Sequence, residues 1–258
     1  MRRRALDRLN LPGTLFLLAL LAVWEICGKW AASPNVPTIE AVGAALWRDG
    51  PILAIEATYT IGRAFAGLAI ACFVAIPFGV LFGRVRLLGD VTAPVIDLLR
   101  PLPPIAVAPV AMLFAGTGSG AKVAVIAFGC GFPILITTFD AVRAAEPLLI
   151  KVGRSFGFSR FDVMRLIDMP LALPHVLTGV RISLALSLLI SVSTELLLSS
   201  NGLGDFISRA QQLFHITDEV AALVLIAVLG VVINNFYAAL DRRLLAWHYG
   251  RLANGGKG

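Results

Sequence analysis

Three stretches of this chain, Ala64 to Gly83, Pro101 to Ala121 and Val220 to Leu240, contain no Asp, Glu, Lys or Arg at all. About 20 consecutive apolar residues are what an α-helix needs to cross a bilayer. In hydrocarbon every backbone N–H and C=O must be satisfied within the protein, so such runs are expected as helices. Val123 to Phe139 is a shorter clean run, and Ile182 to Gly204 is interrupted only by Glu195. Asn10 to Trp24 is also clean. Its helix is expected to continue through Glu25 and Lys29, whose i, i+4 spacing lets them pair. The expectation is one all-α membrane domain over 1–258, with six spans near 11–31, 60–83, 93–115, 121–141, 176–199 and 219–240.

Composition agrees, with 58% hydrophobic and 15% charged residues, where a soluble domain has roughly 25% charged. The net charge of +6 could suggest nucleic acid. The basic residues lie between apolar runs, however, not along one solvated face, so no nucleic-acid partner is expected. Cys27, Cys72 and Cys130 are isolated and read as buried packing residues. His175, His215 and His248 are far apart and show no metal spacing. No acid pair lies on one helix face in a cleft, so no catalytic residue, metal or cofactor is expected of this chain.

The first run has the basic start of a signal peptide, Arg2, Arg3, Arg4 and Arg8. No small-residue cleavage pattern follows cleanly and five more spans do, so it reads as a retained span. Trp24 and Trp30 suit an interfacial belt. With the N-terminus in the cytoplasm, 15 of the 22 Lys and Arg fall on cytoplasmic segments. The positive-inside rule then puts both termini, and the segment between spans four and five, in the cytoplasm.

That segment, KVGRSFGFSRFDVMRLIDMPLALP at 151–174, is charged and punctuated by glycine and proline. It reads as two short helices. Leu149, Val152, Gly153 and Phe156 follow helical spacing, and Gly157 ends the first turn. Ser159 can cap the second helix, with Asp162 three residues on. Pro170 and Pro174 are expected to break helix and return the chain to the bilayer. Two readings stay open: a basic hairpin lying on anionic lipid heads, or a peg with exposed phenylalanines that docks a cytoplasmic partner.

Polar residues within the spans are sparse. Glu195, flanked by Ser191, Ser193 and Thr194, is a costly intramembrane carboxylate. It reads either as a pairing, capping or gating group near the outer mouth or as a solute contact. Asp97 and Arg100 are spaced i, i+3 and are expected to pair. Arg63 could snorkel outward or attract anions. Asn234 and Asn235 read as interhelical glue. Prolines at 94, 101, 103, 104 and 109 should make span three irregular. Irregular backbone at membrane depth must be covered by protein or line a cavity, which places span three beside a translocation path.

Gly157, nine residues, then Ile167-x-Met169-Pro170 resembles the cytoplasmic loop motif of ABC-importer permeases, in which Glu-Ala-Ala precedes the glycine. Here those three positions are Lys151-Val152-Gly153. Pro34-Asn35-Val36-Pro37, Arg100-Pro101-Leu102-Pro103-Pro104, Phe132-Pro133-Ile134-Leu135, Leu177 to Ile182 and Gly202-Leu203-Gly204 are similar to the nitrate/sulfonate/taurine branch. The resemblance implies a type I ABC-importer permease fold with a cytoplasmic coupling-helix hairpin, here 143–174, in a bacterial cytoplasmic membrane. It implies ATPase subunits that carry ATP-Mg, an extracytoplasmic solute-binding protein, a second permease copy and surrounding lipid as partners. ATPase docking would fall to Lys151, Arg154, Gly157, Phe158, Phe161, Arg165, Ile167 and Pro170. Path or gate residues would be Arg100, Pro103, Pro104, Ser191, Thr194 and Glu195. No G-x-x-x-x-G-K-S/T occurs, and Gly116 to Gly120 lacks the lysine and reads as an outer turn. The branch handles nitrate, sulfonates, taurine, bicarbonate and some vitamin precursors, and no residue selects among them. An ion-coupled secondary transporter is the alternative; it would want more intramembrane charge and internal repeats.

Overall fold

The computed structural model describes residues 11–31, 35–144, 152–153, 155–198 and 200–245. The described residues contain helices and no strand. Five helices are long and apolar enough to cross a membrane. They are α1 (Leu11–Ala31), α3 (Gly50–Arg84), α6 (Ser119–Arg143), α8 (Met169–Leu197) and α10 (Ile216–Leu244). A short helix α2 (Ile39–Arg48) precedes α3, and α9 (Leu203–Gln212) precedes α10.

The sixth candidate span is a bent pair of helices. α4 (Arg86–Leu99) and the limb formed by a 3-10 turn at Pro104–Val107 and α5 (Ala108–Ala115) meet at 93°. Pro101, Pro103 and Pro104 have no N–H to donate, so the α4 ladder cannot continue through them. Pro103 is extended, with φ −59° and ψ 127°, and the helix restarts at Pro104, a first-turn position where no N–H is needed. The irregularity expected of span three is thus a sharp bend between two limbs. Asp97 and Arg100 are both exposed and make no ion pair with each other, contrary to the pairing their spacing suggests. Arg100 stands just past the end of α4, where the bend begins.

α3 and α6 run parallel and close. A Cβ on Gly67 would lie 2.5 Å from Ile126, and one on Gly79 2.7 Å from Thr138, so small residues let the backbones approach. α8 returns antiparallel against α6, with Gly129 under Ile190 and Pro104, and Gly179 against Thr137. Between them lie Val125, Ile126, Cys130 and Ile134, all fully buried, with Ala71, Ala108 and Leu184. Cys130 and the half-buried Cys72 pack as expected, but Cys27 is exposed, because α1 stands to one side and touches chiefly α2. Trp24 donates its indole N–H to the Pro37 carbonyl at 3.0 Å, and the Ile39 N–H donates to Glu25 at 2.8 Å. The Glu25–Lys29 pair forms at 2.8 Å. Asn234 and Asn235 are exposed and bond nothing among the described residues. The interhelical bond from α10 is made instead by Tyr237, whose hydroxyl donates to the Leu177 carbonyl at 2.7 Å.

These directions give the bundle two ends. One gathers the last turns of α3 and α6 with the first of α4, where Arg143 pairs with Asp90 at 3.1 Å. The other gathers the starts of α3 and α6, the end of α8, and α9.

Candidate translocation and coupling site

The bend in span three opens a cavity of about 400 Å³ between itself, α6 and α8. Arg100, Leu102, Pro104, Phe132, Leu186 and Ile190 are among its walls. The lining is apolar apart from Arg100 and the Thr137 hydroxyl, which donates to the Pro133 carbonyl of its own helix at 2.8 Å. Arg100 and Pro104 therefore share one cavity, and the neighbouring Pro103 sets the bend that opens it. Ser191, Thr194 and Glu195 do not join this cavity.

Those three lie at the second end of the bundle, fully buried. The Glu195 carboxylate receives Arg63 at 2.9 Å and the Thr60 hydroxyl at 2.8 Å, and the Gly204 N–H at 3.2 Å. Ser191 donates to the Thr60 carbonyl at 3.1 Å and Thr194 to the Ser191 carbonyl at 2.8 Å. Arg63 also donates to both the carbonyl and the side chain of Asn201, and to Ser119 at 3.1 Å. It is 5% exposed, so it neither snorkels nor faces solvent. Lys122, fully buried, reaches Ser200 at 2.8 Å. Glu56 accepts from the Gly202 N–H and pairs with Arg209 at 2.9 Å, and Arg209 pairs with Asp205 at 3.1 Å. Three carboxylates and three cations thus balance one another around the turn from α8 to α9. Gly202 has φ +107°, and a Cβ there would collide with the Glu195 carboxylate. The Gly202-Leu203-Gly204 motif is explained by that carboxylate. Glu56 and Lys122 were not singled out in the sequence, and Arg63 was read as a snorkelling or anion-attracting residue and not as the partner of Glu195, because a charge in an apolar run looks like a span boundary. Their signal was that each had a countercharge or hydroxyl available in 195–209.

At the first end, residues 152, 153 and 155 are helical and Gly157 has φ +81°, a left-handed turn that glycine adopts without strain. Ser159 and Asp162 form the capping box: the Ser159 N–H donates to Asp162 at 3.0 Å and the Asp162 N–H to the Ser159 hydroxyl at 3.1 Å. The Ser159 hydroxyl also donates to the Asp162 carboxylate at 2.5 Å, and this bond first, then the one from the Ser159 N–H, holds the Asp162 carboxyl below its usual range. One turn of helix, α7 (Arg160–Val163), follows. Pro170 and Pro174 do not break the chain as expected. A π turn, Met164–Asp168, joins α7 to α8 without a loop, and the Met169 N–H reaches back five residues to the Met164 carbonyl. Widening the helix by one residue absorbs the proline whose N–H is missing. Val163 is buried and Ile167 half-buried, facing a Gly153 that is itself buried. Phe156, Phe158, Phe161 and Arg165 are exposed, as is Pro170. Lys151 and Arg154 lie outside the described residues.

Residues 75–246 match the family model described as the binding-protein-dependent transport system inner membrane component. The chain belongs to that family. The match covers the broken span, the hairpin, α8 and the acidic partner of the buried pair, but not Arg63. Among relatives of these inner membrane components, the taurine transport system permease protein TauC of Escherichia coli is 30% identical, with 92% of this chain and 88% of that one covered. The putative aliphatic sulfonates transport permease protein SsuC of Bacillus subtilis is 29% identical over 92% of this chain and 87% of its own. The bicarbonate transport system permease protein CmpB of Synechococcus elongatus is 31% identical over 72% and 67%. The fold is that of type I ABC-importer permeases. A MetNI methionine ABC transporter chain in an inward-facing form superposes with TM-score 0.64 at 21% identity, covering 74% of this chain and 95% of its own. A chain of an amino acid ABC transporter gives 0.64 at 15%, covering 78% and 97%.

Proposed function

We propose that this inner membrane component is the permease subunit of an ATP-driven importer for a small anion of the sulfonate, taurine, nitrate or bicarbonate kind. It receives solute from an extracytoplasmic binding protein and couples to ATPase subunits through residues 146–170. Both termini are cytoplasmic, and two copies pair around the path, since a two-fold axis lets two hairpins meet two ATPases. The observation that carries this reading is the hairpin. It sets three exposed phenylalanines and Arg165 at one end of the bundle and runs into α8 with no loop between. A lipid-surface hairpin would lay its phenylalanines in hydrocarbon and need no rigid joint. An ion-coupled transporter would need a free intramembrane carboxylate, whereas Glu195 is saturated by Arg63, Thr60 and Gly204.

The test is ATP turnover. The chain alone should hydrolyse no ATP, because it carries no phosphate-loop sequence. Turnover should appear with a separate ATPase subunit, and rise when loaded binding protein is added. Hydrolysis by the purified chain alone, or solute uptake driven by an ion gradient without the ATPase, would refute the assignment.

A further inference from the structure

Several charges on the spans are answered among the described residues. Glu25 meets Lys29, Arg63 meets Glu195, Lys122 meets Ser200, and Glu56 meets Arg209. Arg100 is different. Its guanidinium is exposed and makes no hydrogen bond or ion pair among the described residues, although Asp97 lies one turn earlier. It is also the one charged side chain lining the cavity opened by the bend. That cavity sits midway along the bundle, against Gly129 to Thr137 of α6 and Ile182 to Ile190 of α8. Arg181 of α8 is likewise exposed and makes no hydrogen bond or ion pair among the described residues, but it lines different clefts, one of them shared with Asp241 and Arg242.

A guanidinium is a planar fork of donors that matches the oxygens of a sulfonate, carboxylate or bicarbonate. Apolar walls offer an anion nothing in place of its hydration, so a charged solute can pause there only where a cation compensates it. The same walls raise the field of that cation, because the local dielectric is low. A volume of about 400 Å³ admits a small organic anion with some of its water. The bend fixes where the charge stands: Arg100 is followed by Pro101, Pro103 and Pro104, so its backbone is held by a kink and not by a mobile loop.

We propose that Arg100 forms an oxyanion-binding site inside the membrane, at the break in span three, and biases the path toward small anions. This rests on the transport reading for the claim that the cavity lies on a path. The electrostatic part can be read without any transport. Leu186→Cys and, separately, Ile136→Cys place a thiol on the cavity wall of the full-length chain. Each is treated with two methanethiosulfonate reagents of similar size, one carrying a sulfonate and one a trimethylammonium group. Labelling of the unsubstituted chain is subtracted, and Asp49→Cys on the exposed end serves as the reference. The sulfonate reagent should react at least about tenfold faster relative to the reference, the preference expected of one cation a few ångströms away in a poorly screened site. Arg100→Gln should abolish the preference, and Arg100→Lys should retain most of it. An unchanged preference in Arg100→Gln, a cationic preference in the parent, or no reaction of either reagent at both wall positions would overturn the site. Failure of the ATPase to co-elute would sink the importer reading and leave this result standing.

Discussion

The buried pair between Arg63 and Glu195 joins α3 to α8 at 2.9 Å with both side chains almost wholly enclosed. Removing one member leaves the other charged and unanswered, which costs about 3 to 5 kcal/mol where neither can reach water. Arg63→Met or Glu195→Leu alone should lower the unfolding temperature in detergent sharply. The double variant should recover much of the loss, and strictly additive losses would show that the pair is not coupled. Gly202→Ala should be nearly as damaging as either single change, since it forces a Cβ onto the Glu195 carboxylate at φ +107°. Gly43→Ala on α2, where nothing lies within 4 Å, should instead be neutral or stabilising by up to about 1 kcal/mol. Glu195 was legible in the sequence as an expensive residue because it stands alone in its run. Arg63 was legible as a charge but its pairing was not, since its partner is 132 positions away and only the antiparallel return of α8 brings them together.

The hairpin shows how far local rules carry. Its capping box and glycine turn could be read directly, because both are decided by residues within three or four positions of one another. The π turn could not. Two prolines signal a broken helix, yet whether the ladder breaks or widens depends on what anchors the helix on either side, and here Val163 before the turn and Ala172 and Val176 after it are buried. Pro170→Ala should let the π turn relax to α, rotating α7 by roughly 100° relative to α8. Phe161 would then leave its present face, and co-elution of the ATPase should fall as it does in Phe161→Ala, a loss of about 1 kcal/mol or more if the ring fills a pocket. Gly157→Val should also uncouple the ATPase while the spans still insert, whereas Arg86→Ala, exposed at the same end, should do far less. Retention of the ATPase by Gly157→Val and Phe161→Ala together would remove the docking role. The cap also has a pH signature. Asp162 titrates below its usual range, so its contribution is complete above the ordinary aspartate pKa of about 3.9 and disappears as pH falls through the lowered folded value. Asp162→Asn should mimic the acid state at neutral pH, and backbone amide exchange at Ser159 should speed up.

For the whole molecule, charge asymmetry predicts which end faces which compartment. A thiol reagent that cannot cross the membrane should label Asp49→Cys from outside and Arg160→Cys only from inside. The reverse pattern would invert the molecule and detach the hairpin from any cytoplasmic ATPase. Native mass measurement of the assembled complex should find two copies of this chain; a single copy would require a second, related permease. The spans themselves were legible wherever the run was free of charge. They were blurred where a charge is answered at long range: α3 starts at Gly50 and carries Glu56 and Arg63, both answered by residues near 200. The continuity of α7, the π turn and α8 has a mechanical corollary. The 29 residues of α8 make a rod of about 44 Å. Gly129 and Gly179 press it against α6 partway along, as a fulcrum. A tilt of about 10° about that fulcrum would sweep the far tip, about 27 Å beyond Gly179, through roughly 5 Å. That tip carries Glu195 and, through it, Arg63, Asn201 and the start of α9. A lever of this kind makes a nudge on one face of the membrane a displacement on the other, with the charge cluster as its handle.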